Sequence, residues 1–335
     1  MPSKYIVSKL QAILGSDHLV EAYLRKFGEI VNEQYIEQIK KAETQKIQAI
    51  SGGAAVEKKN GDDPVYEILC QCPVCYREEI VSYHLRSKSQ TVKETIFLVP
   101  QYSAVLKYFA EDFNLLQTTV CPECLFASPD PRDWSVKSKF TGKIDESQLS
   151  DHTKLMSDLR NHELNRKNKF PAIKGNPNYF ARPRSYERAI ESIELSIMRA
   201  ELEVKHALLT GEFKIGSYYL KIADIKKKQK KEFKETLKIA EKYFSAAAIK
   251  SELPSVALEM LSIYQVIALN LYLGDKTKAA EFMKIFKAAV RQKEEAVKLN
   301  STSENKAAFS EANKWNNKVS NLWEYREDPD FWKDI

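Results

Sequence analysis

The sequence predicts an α+β protein that is mainly α, in which a small β-rich module pinned by paired cysteines precedes a run of antiparallel helical hairpins. Three observations carry this reading. Two Cys-Pro-x-Cys pairs, Cys72-Pro73-Val74-Cys75 and Cys121-Pro122-Glu123-Cys124, are separated by 45 residues. The stretches around and between them are rich in β-branched and aromatic residues. From about residue 184 to residue 327, apolar residues return at helical spacing and are interrupted by short breaks.

In chain order, residues 1–60 form an N-terminal helical segment and linker. Tyr5, Ile6, Leu10, Ile13 and Leu14 share one stripe, and Tyr23, Leu24, Phe27, Ile30, Val31 and Tyr35 share a second that Ser16 or Asp17 could cap. Residues 61–135 form the cysteine module. Strands are expected at Val65 to Leu69, Ile80 to Leu85 and Val92 to Val99, with a turn at Ser87-Lys88-Ser89-Gln90 and a stop at Pro100. A helix from Tyr102 to Phe113 and a strand from Leu115 to Val120 then lead to the second cysteine pair. Residues 136–183 read as an irregular connector broken by Pro171, Pro177 and Pro183, with one helix from Asp151 to Asn165 capped by Ser150 or Asp151. Residues 184–335 form a helical domain with segments at 184–209, 213–249, 254–273, 276–299 and 304–326. Short breaks between long amphipathic helices imply antiparallel hairpins.

Composition narrows the function classes. The cysteine module carries 6 basic against 11 acidic side chains, while residues 181–335 carry 28 against 23. A phosphate-binding module would need the opposite sign in its cysteine-rich part, so nucleic acid is not the expected partner. No run of about 18 uncharged apolar residues and no leader pattern stands out, which makes a cytoplasmic protein without a membrane span the expectation. Five cysteines, an odd number, fit metal ligation in a reducing compartment better than a disulfide framework.

Four thiolates arriving as two short loops are what a tetrahedral structural Zn2+ requires, with sulfurs at ~2.3 Å from the ion. The expected ligands are Cys72, Cys75, Cys121 and Cys124. A redox pair would use a single Cys-x-x-Cys at a helix N-terminus. A catalytic zinc would keep an open fourth position, and His84-Leu85-Arg86 is not the His-x-Glu of a zinc deaminase. His162-Glu163 lacks the second histidine of a metalloprotease helix. Cys70 reads as a small buried side chain, or as an alternative to Cys72. No catalytic constellation is expected. Lys226 to Lys231, the strongest basic run, reads as a solvated helix face or inter-helix segment. Trp315, Trp323, Tyr325, Phe331 and Trp332 gather near the C-terminus, where aromatics pack back on the preceding hairpin or dock into a partner.

One hairpin is more specific. Leu271-Tyr272-Leu273-Gly274-Asp275, followed by Lys278-Ala279-Ala280-Glu281-Phe282 and Ala288-Ala289, resembles a tetratricopeptide (TPR) unit, with glycine at the turn and alanine where helices touch. Together with the two cysteine pairs, Arg86-Ser87-Lys88, Asn114-Leu115-Leu116, Phe126-Ala127 and Tyr186-Glu187-Arg188-Ala189-Ile190, this order resembles a bacterial family of unknown function. That family joins a zinc-ribbon-like module to TPR-like helices, and the resemblance spans roughly residues 65–300. It implies a fold and a metal but no activity. The family usually follows the second cysteine pair with glycine; here Leu125 stands there, and Tyr76 follows the first pair.

The full expectation is therefore a zinc-stapled β-rich module followed by TPR-like hairpins. It would act as a non-enzymatic scaffold or adaptor for a protein partner, the alternative being a nucleic-acid-associated or regulatory zinc-ribbon protein.

Overall fold

The computed structural model describes residues 61–105, 107–137, 144–173, 176–250 and 253–332, all within one compact unit of residues 60–335. The helices expected over residues 1–60 lie outside the described residues. The described part contains eight α-helices and four two-stranded antiparallel sheets, the mainly helical α+β class expected from the sequence.

β1 (Val65–Cys70) and β2 (Ile80–Leu85) pair from Val65 opposite Leu85 to Cys70 opposite Ile80. β3 (Gln90–Glu94) pairs with β4 (Pro100–Ala104), β5 (Thr119–Val120) with β6 (Ala127–Ser128), and β7 (Val136–Lys137) with β8 (Ile144–Asp145). A two-stranded ribbon is marginal alone in water, so each depends on what it packs against.

Between β2 and β5 the structure departs from expectation. The predicted strand over Val92 to Val99 is instead one arm of a hairpin plus its tip, and Pro100 opens β4 rather than ending a strand. Proline is tolerated as the first residue of a strand, where its missing N–H costs least. The tip is closed by Thr95, whose Oγ1 accepts from the Val99 N–H at 3.1 Å and whose carbonyl accepts from the Leu98 N–H at 2.8 Å. The expected turn at Ser87 to Gln90 is a corner between two separate ribbons. The expected helix from Tyr102 to Phe113 does not form. Tyr102 pairs with Val92 and sets its ring 6.0 Å from Phe113, so cross-strand packing overrides the helical spacing. A single 3-10 turn, Phe113–Leu115, remains.

The helices begin with α1 (Thr153–Asn161) and α2 (Glu163–Lys169), which divide at His162 the one helix expected there; α1 starts at His152 without a side-chain cap. The long helices are α3 (Tyr186–Lys205), α4 (Gly211–Lys228), α5 (Lys234–Ile249), α6 (Val256–Leu273), α7 (Lys276–Leu299) and α8 (Ser303–Glu324). Ser185, Ser255, Asp275 and Thr302 each accept a backbone N–H at a helix start, and Gly274 takes φ 89° at the α6–α7 turn. The segment expected at 213–249 is two helices. Lys230, at φ 57°, turns the chain, and the Lys231 N–H donates to the Lys226 carbonyl at 2.9 Å.

Each helix from α3 to α7 packs on its successor, and α8 lies on both α6 and α7. α6 is the hub. It is long and apolar enough to cross a membrane, yet Met260, Ile263, Val266, Ile267, Ala268 and Leu269 are buried in the protein core. Trp315, Trp323, Phe331 and Trp332 pack back on that core.

α3 is a wall shared by the cysteine module and the hairpins. Ile193 and Ile197 face Ile215, Tyr218 and Ile222 of α4. Leu195 joins Val120, Leu125 and Ala127, and Leu202 joins the cysteine cluster. Between them Arg199, 2% exposed, donates to Ser128 Oγ at 2.6 Å and to the carboxylates of Asp133 and Glu203, both fully buried. Gln148 donates to Asp133 Oδ1 at 2.7 Å, and Lys214 donates to Glu203 Oε2 at 2.8 Å. Removing one partner of such a group leaves uncompensated charge in the interior. Arg199→Ala is therefore expected to lower the unfolding free energy by about 3–5 kcal/mol. Urea denaturation followed by circular dichroism measures this, and a loss below about 1 kcal/mol would contradict it.

Candidate metal centre

The two Cys-Pro-x-Cys loops are one piece of geometry used twice. In the first, the Cys72 N–H donates to the Arg77 carbonyl at 2.9 Å and the Tyr76 N–H donates to the Cys72 carbonyl at 3.0 Å. In the second, the Cys121 N–H donates to the Phe126 carbonyl at 2.8 Å and the Leu125 N–H donates to the Cys121 carbonyl at 3.0 Å. The residue after each second cysteine must take a left-handed conformation to make this bond: Tyr76 has φ 62° and Leu125 φ 57°. Both loops therefore close as they would with glycine, at a backbone cost of roughly 1–2 kcal/mol per position. Proline at the second position has no N–H to bury inside the loop.

β1 and β5 deliver the loops to a common point. The Sγ atoms of Cys72, Cys75, Cys121 and Cys124 all lie within 4.8 Å of one another, with Cys72–Cys124 at 3.6 Å and Cys75–Cys121 at 3.5 Å. Four sulfurs at ~2.3 Å around one ion would stand about 3.8 Å apart, so the cluster needs little adjustment to hold a metal. No pair is bonded as a disulfide. Cys72, Cys121 and Cys124 are fully buried and Cys75 half-buried. Hydrogen bonding to Cys121, then to the other two, pushes the Cys72 thiol above the ordinary range, and the Cys121 contact likewise raises Cys124. The same contacts pull Cys75 and Cys121 down. A divalent cation at their centre would replace the protons these sulfurs carry.

Cys70 stands apart. Its Sγ–H donates to the Ile80 carbonyl at 3.3 Å, and burial, with Cys121 nearby, pushes its thiol up to about 12. His84 is hydrogen-bonded to Ser82 at 3.1 Å, and His162 accepts from Asn165 at 3.3 Å; neither belongs to the cluster.

Two arginines escaped the sequence reading. Arg160 of α1 donates through Nε to the Val74 carbonyl of the first loop at 3.2 Å and through Nη2 to the Tyr76 hydroxyl at 2.9 Å. Arg166 of α2 donates through Nε to the Cys124 carbonyl of the second loop at 2.9 Å. Its Nη2 is buried without a hydrogen-bond partner. A buried donor left unpaired is costly, and a tetrathiolate centre carrying two excess negative charges would satisfy it. The residues present thus fit a divalent cation in charge as well as in spacing.

Residues 65–310 match the model of a family described as an uncharacterized protein conserved in bacteria (DUF2225). This agrees with the resemblance in its bacterial, uncharacterized character; the description names neither a zinc ribbon nor helical repeats. No curated protein and no solved structure matches the chain.

Because Arg166 holds the Cys124 carbonyl and leaves a buried Nη2 without a partner beside the second loop, Arg166→Met is expected to weaken metal retention by roughly 10–100-fold. Competition with a chromophoric chelator would measure it, and an unchanged affinity would refute the role. Protons and metal compete for Cys72 and Cys124, so retention should also fall as pH is lowered; the same assay across a pH series checks the direction.

Proposed function

We propose that this chain, which belongs to the uncharacterized bacterial family DUF2225, is a non-enzymatic adaptor in which a structural Zn2+ holds the cysteine module and a TPR-like helical surface binds a protein partner. The observation that carries this reading is the four-sulfur cluster itself. Four cysteines fill a tetrahedral sphere and leave no position for a substrate, which supports a structural rather than a catalytic metal. Thiolate ligands select zinc among the common divalent ions of a reducing cytoplasm.

The helical stack supports the second half of the reading. The α6–α7 turn has Gly274 left-handed, Asp275 capping α7, and Ala279 fully buried where the helices meet, as in a TPR hairpin. Ile239, Ile249, Ile285 and Leu299 project from α5 and α7 into solvent, an apolar presence that suits a protein partner. The basic run offers little to nucleic acid. Lys226 donates to Thr236, Lys228 pairs with Asp112 and Asp224, and Lys231 faces Glu187.

Freshly purified protein is expected to carry one zinc per chain by elemental analysis. Cys121→Ser with Cys124→Ser should abolish it, and Cys70→Ser should leave it. Zinc absent from the native chain, or retained by the double variant, would sink the structural role. Replacing Lys226, Lys227, Lys228, Lys230 and Lys231 by glutamine should leave partner capture intact and weakly dependent on salt. Affinity for a polyanion that falls steeply with salt and vanishes in the same variant would favour the nucleic-acid reading.

A further inference from the structure

The β3–β4 ribbon buries only its tip, while its strands are held by polar and ring contacts: Gln101 donates to Asp224 of α4 at 3.0 Å, Asn114 donates to the Pro100 carbonyl at 2.7 Å, and Tyr102 meets Phe113. Its strands pair only with each other, and none of the ten strand residues is buried. The tip, Thr95 to Val99, is the reverse: Phe97 and Val99 are each 5% exposed and belong to the core of the helical stack rather than to the cysteine module. Phe97 lies with Leu220 and Ala223 of α4 and Leu237 of α5, and meets Tyr272 of α6 edge-on at 5.6 Å.

The helices also read the main chain of this tip. Tyr264 Oη donates to the Ile96 carbonyl and Gln265 Nε2 donates to the Phe97 carbonyl, both at 2.8 Å. Gln265 is 3% exposed, yet its Oε1 accepts nothing. An amide grips a peptide with both ends when the peptide offers a carbonyl and an N–H. Here one end is empty, and a separate void of about 30 Å³ lies where Phe97 and Val99 meet Leu220, Ala223 and Leu237. An aromatic side chain in a pocket, with neighbouring side chains on the backbone, is how a helical groove holds an extended peptide.

We infer that the Thr95–Val99 tip is an intramolecular ligand of a peptide-reading groove formed by α4, α5 and α6, and that a partner using this groove presents an extended apolar segment with an aromatic residue and displaces the tip. This rests on the adaptor reading and specifies its ligand. A tethered ligand acts at an effective concentration on the order of millimolar, so the closed chain hides the groove from free peptides of micromolar affinity.

The probe is a fluorescein-labelled peptide with the sequence of Glu94 to Pro100, followed by fluorescence anisotropy with the full chain. Phe97→Ser with Val99→Ser, which empties the groove, is expected to bind it at least tenfold more tightly than the native chain. Adding Gln265→Ala should remove that gain. A folded tip variant that binds no better than the native chain, or a gain indifferent to Gln265→Ala, overturns the inference. Loss of the helical fold in the tip variant also overturns it, because a ligand leaves a groove without unfolding it. In the native chain, excess peptide should speed hydrogen exchange at Thr95 to Val99, and unchanged exchange there counts against the inference. If the tip variant binds the peptide but no physiological partner engages the native chain, the adaptor reading fails and the groove stands. A partner held equally by native and Gln265→Ala chains keeps the adaptor and removes the groove.

Discussion

Arg199 carries its charge into an interior where an unpaired ion would be intolerable, and the arrangement of the molecule follows from how that charge is met. Asp133 and Ser128 come from the chain just beyond the second cysteine loop, while Glu203 lies one turn along α3. The guanidinium therefore fixes the position of the loop relative to the helix that opens the stack. Its side also covers the Phe126 ring, 5.8 Å away, which in turn meets Trp134 at 5.0 Å. Polar and aromatic contacts specify a single docking of the module on α3, while Leu195 and Leu202 supply the apolar area that makes this docking favourable.

What the sequence made legible is what local chemistry dictates. Ile80 to Leu85 and Lys276 to Leu299 lie where their patterns place them, whereas the cap expected at Ser150 or Asp151 is not made and α1 starts at His152. The breaks that went unread share a cause. Lys230 and Leu98 take left-handed conformations where glycine would have announced a turn. The failed helix over Tyr102 to Phe113 was decided by a strand partner ten residues earlier, which no periodicity encodes. The cysteine spacing foretold which four sulfurs meet. Nothing near them in sequence foretold that Arg160, 86 residues from Val74, and Arg166, 42 residues from Cys124, would grip the two loops through those carbonyls.

Charge gives the centre its surroundings. The module is acidic as a whole, and four thiolates around a divalent ion would add to that excess. Beside Arg77 of the module, 3.7 Å from Glu123, the following connector brings Arg160, Arg166 and Lys167 against the loops, the last 3.9 Å from Glu123. Residues that read from the sequence as an irregular bridge between domains thus supply most of the positive charge at the loops. α1 and α2, short and without side-chain N-caps, place Arg160 and Arg166 against the two loops.

The distance in sequence between the cysteine pairs has a consequence for the unfolded chain. A metal shared by Cys75 and Cys121 closes a ring of about 45 residues that contains the whole β3–β4 ribbon. By the chain-entropy estimate, a covalent link around a ring of that size removes about 4 kcal/mol of disorder from the denatured ensemble. An ion that holds its four sulfurs tightly acts in the same sense. The tip then begins its search for α6 from the end of a short loop instead of a long one. The ion would thereby favour a hydrophobic insertion it never touches, by narrowing the set of conformations from which that insertion starts.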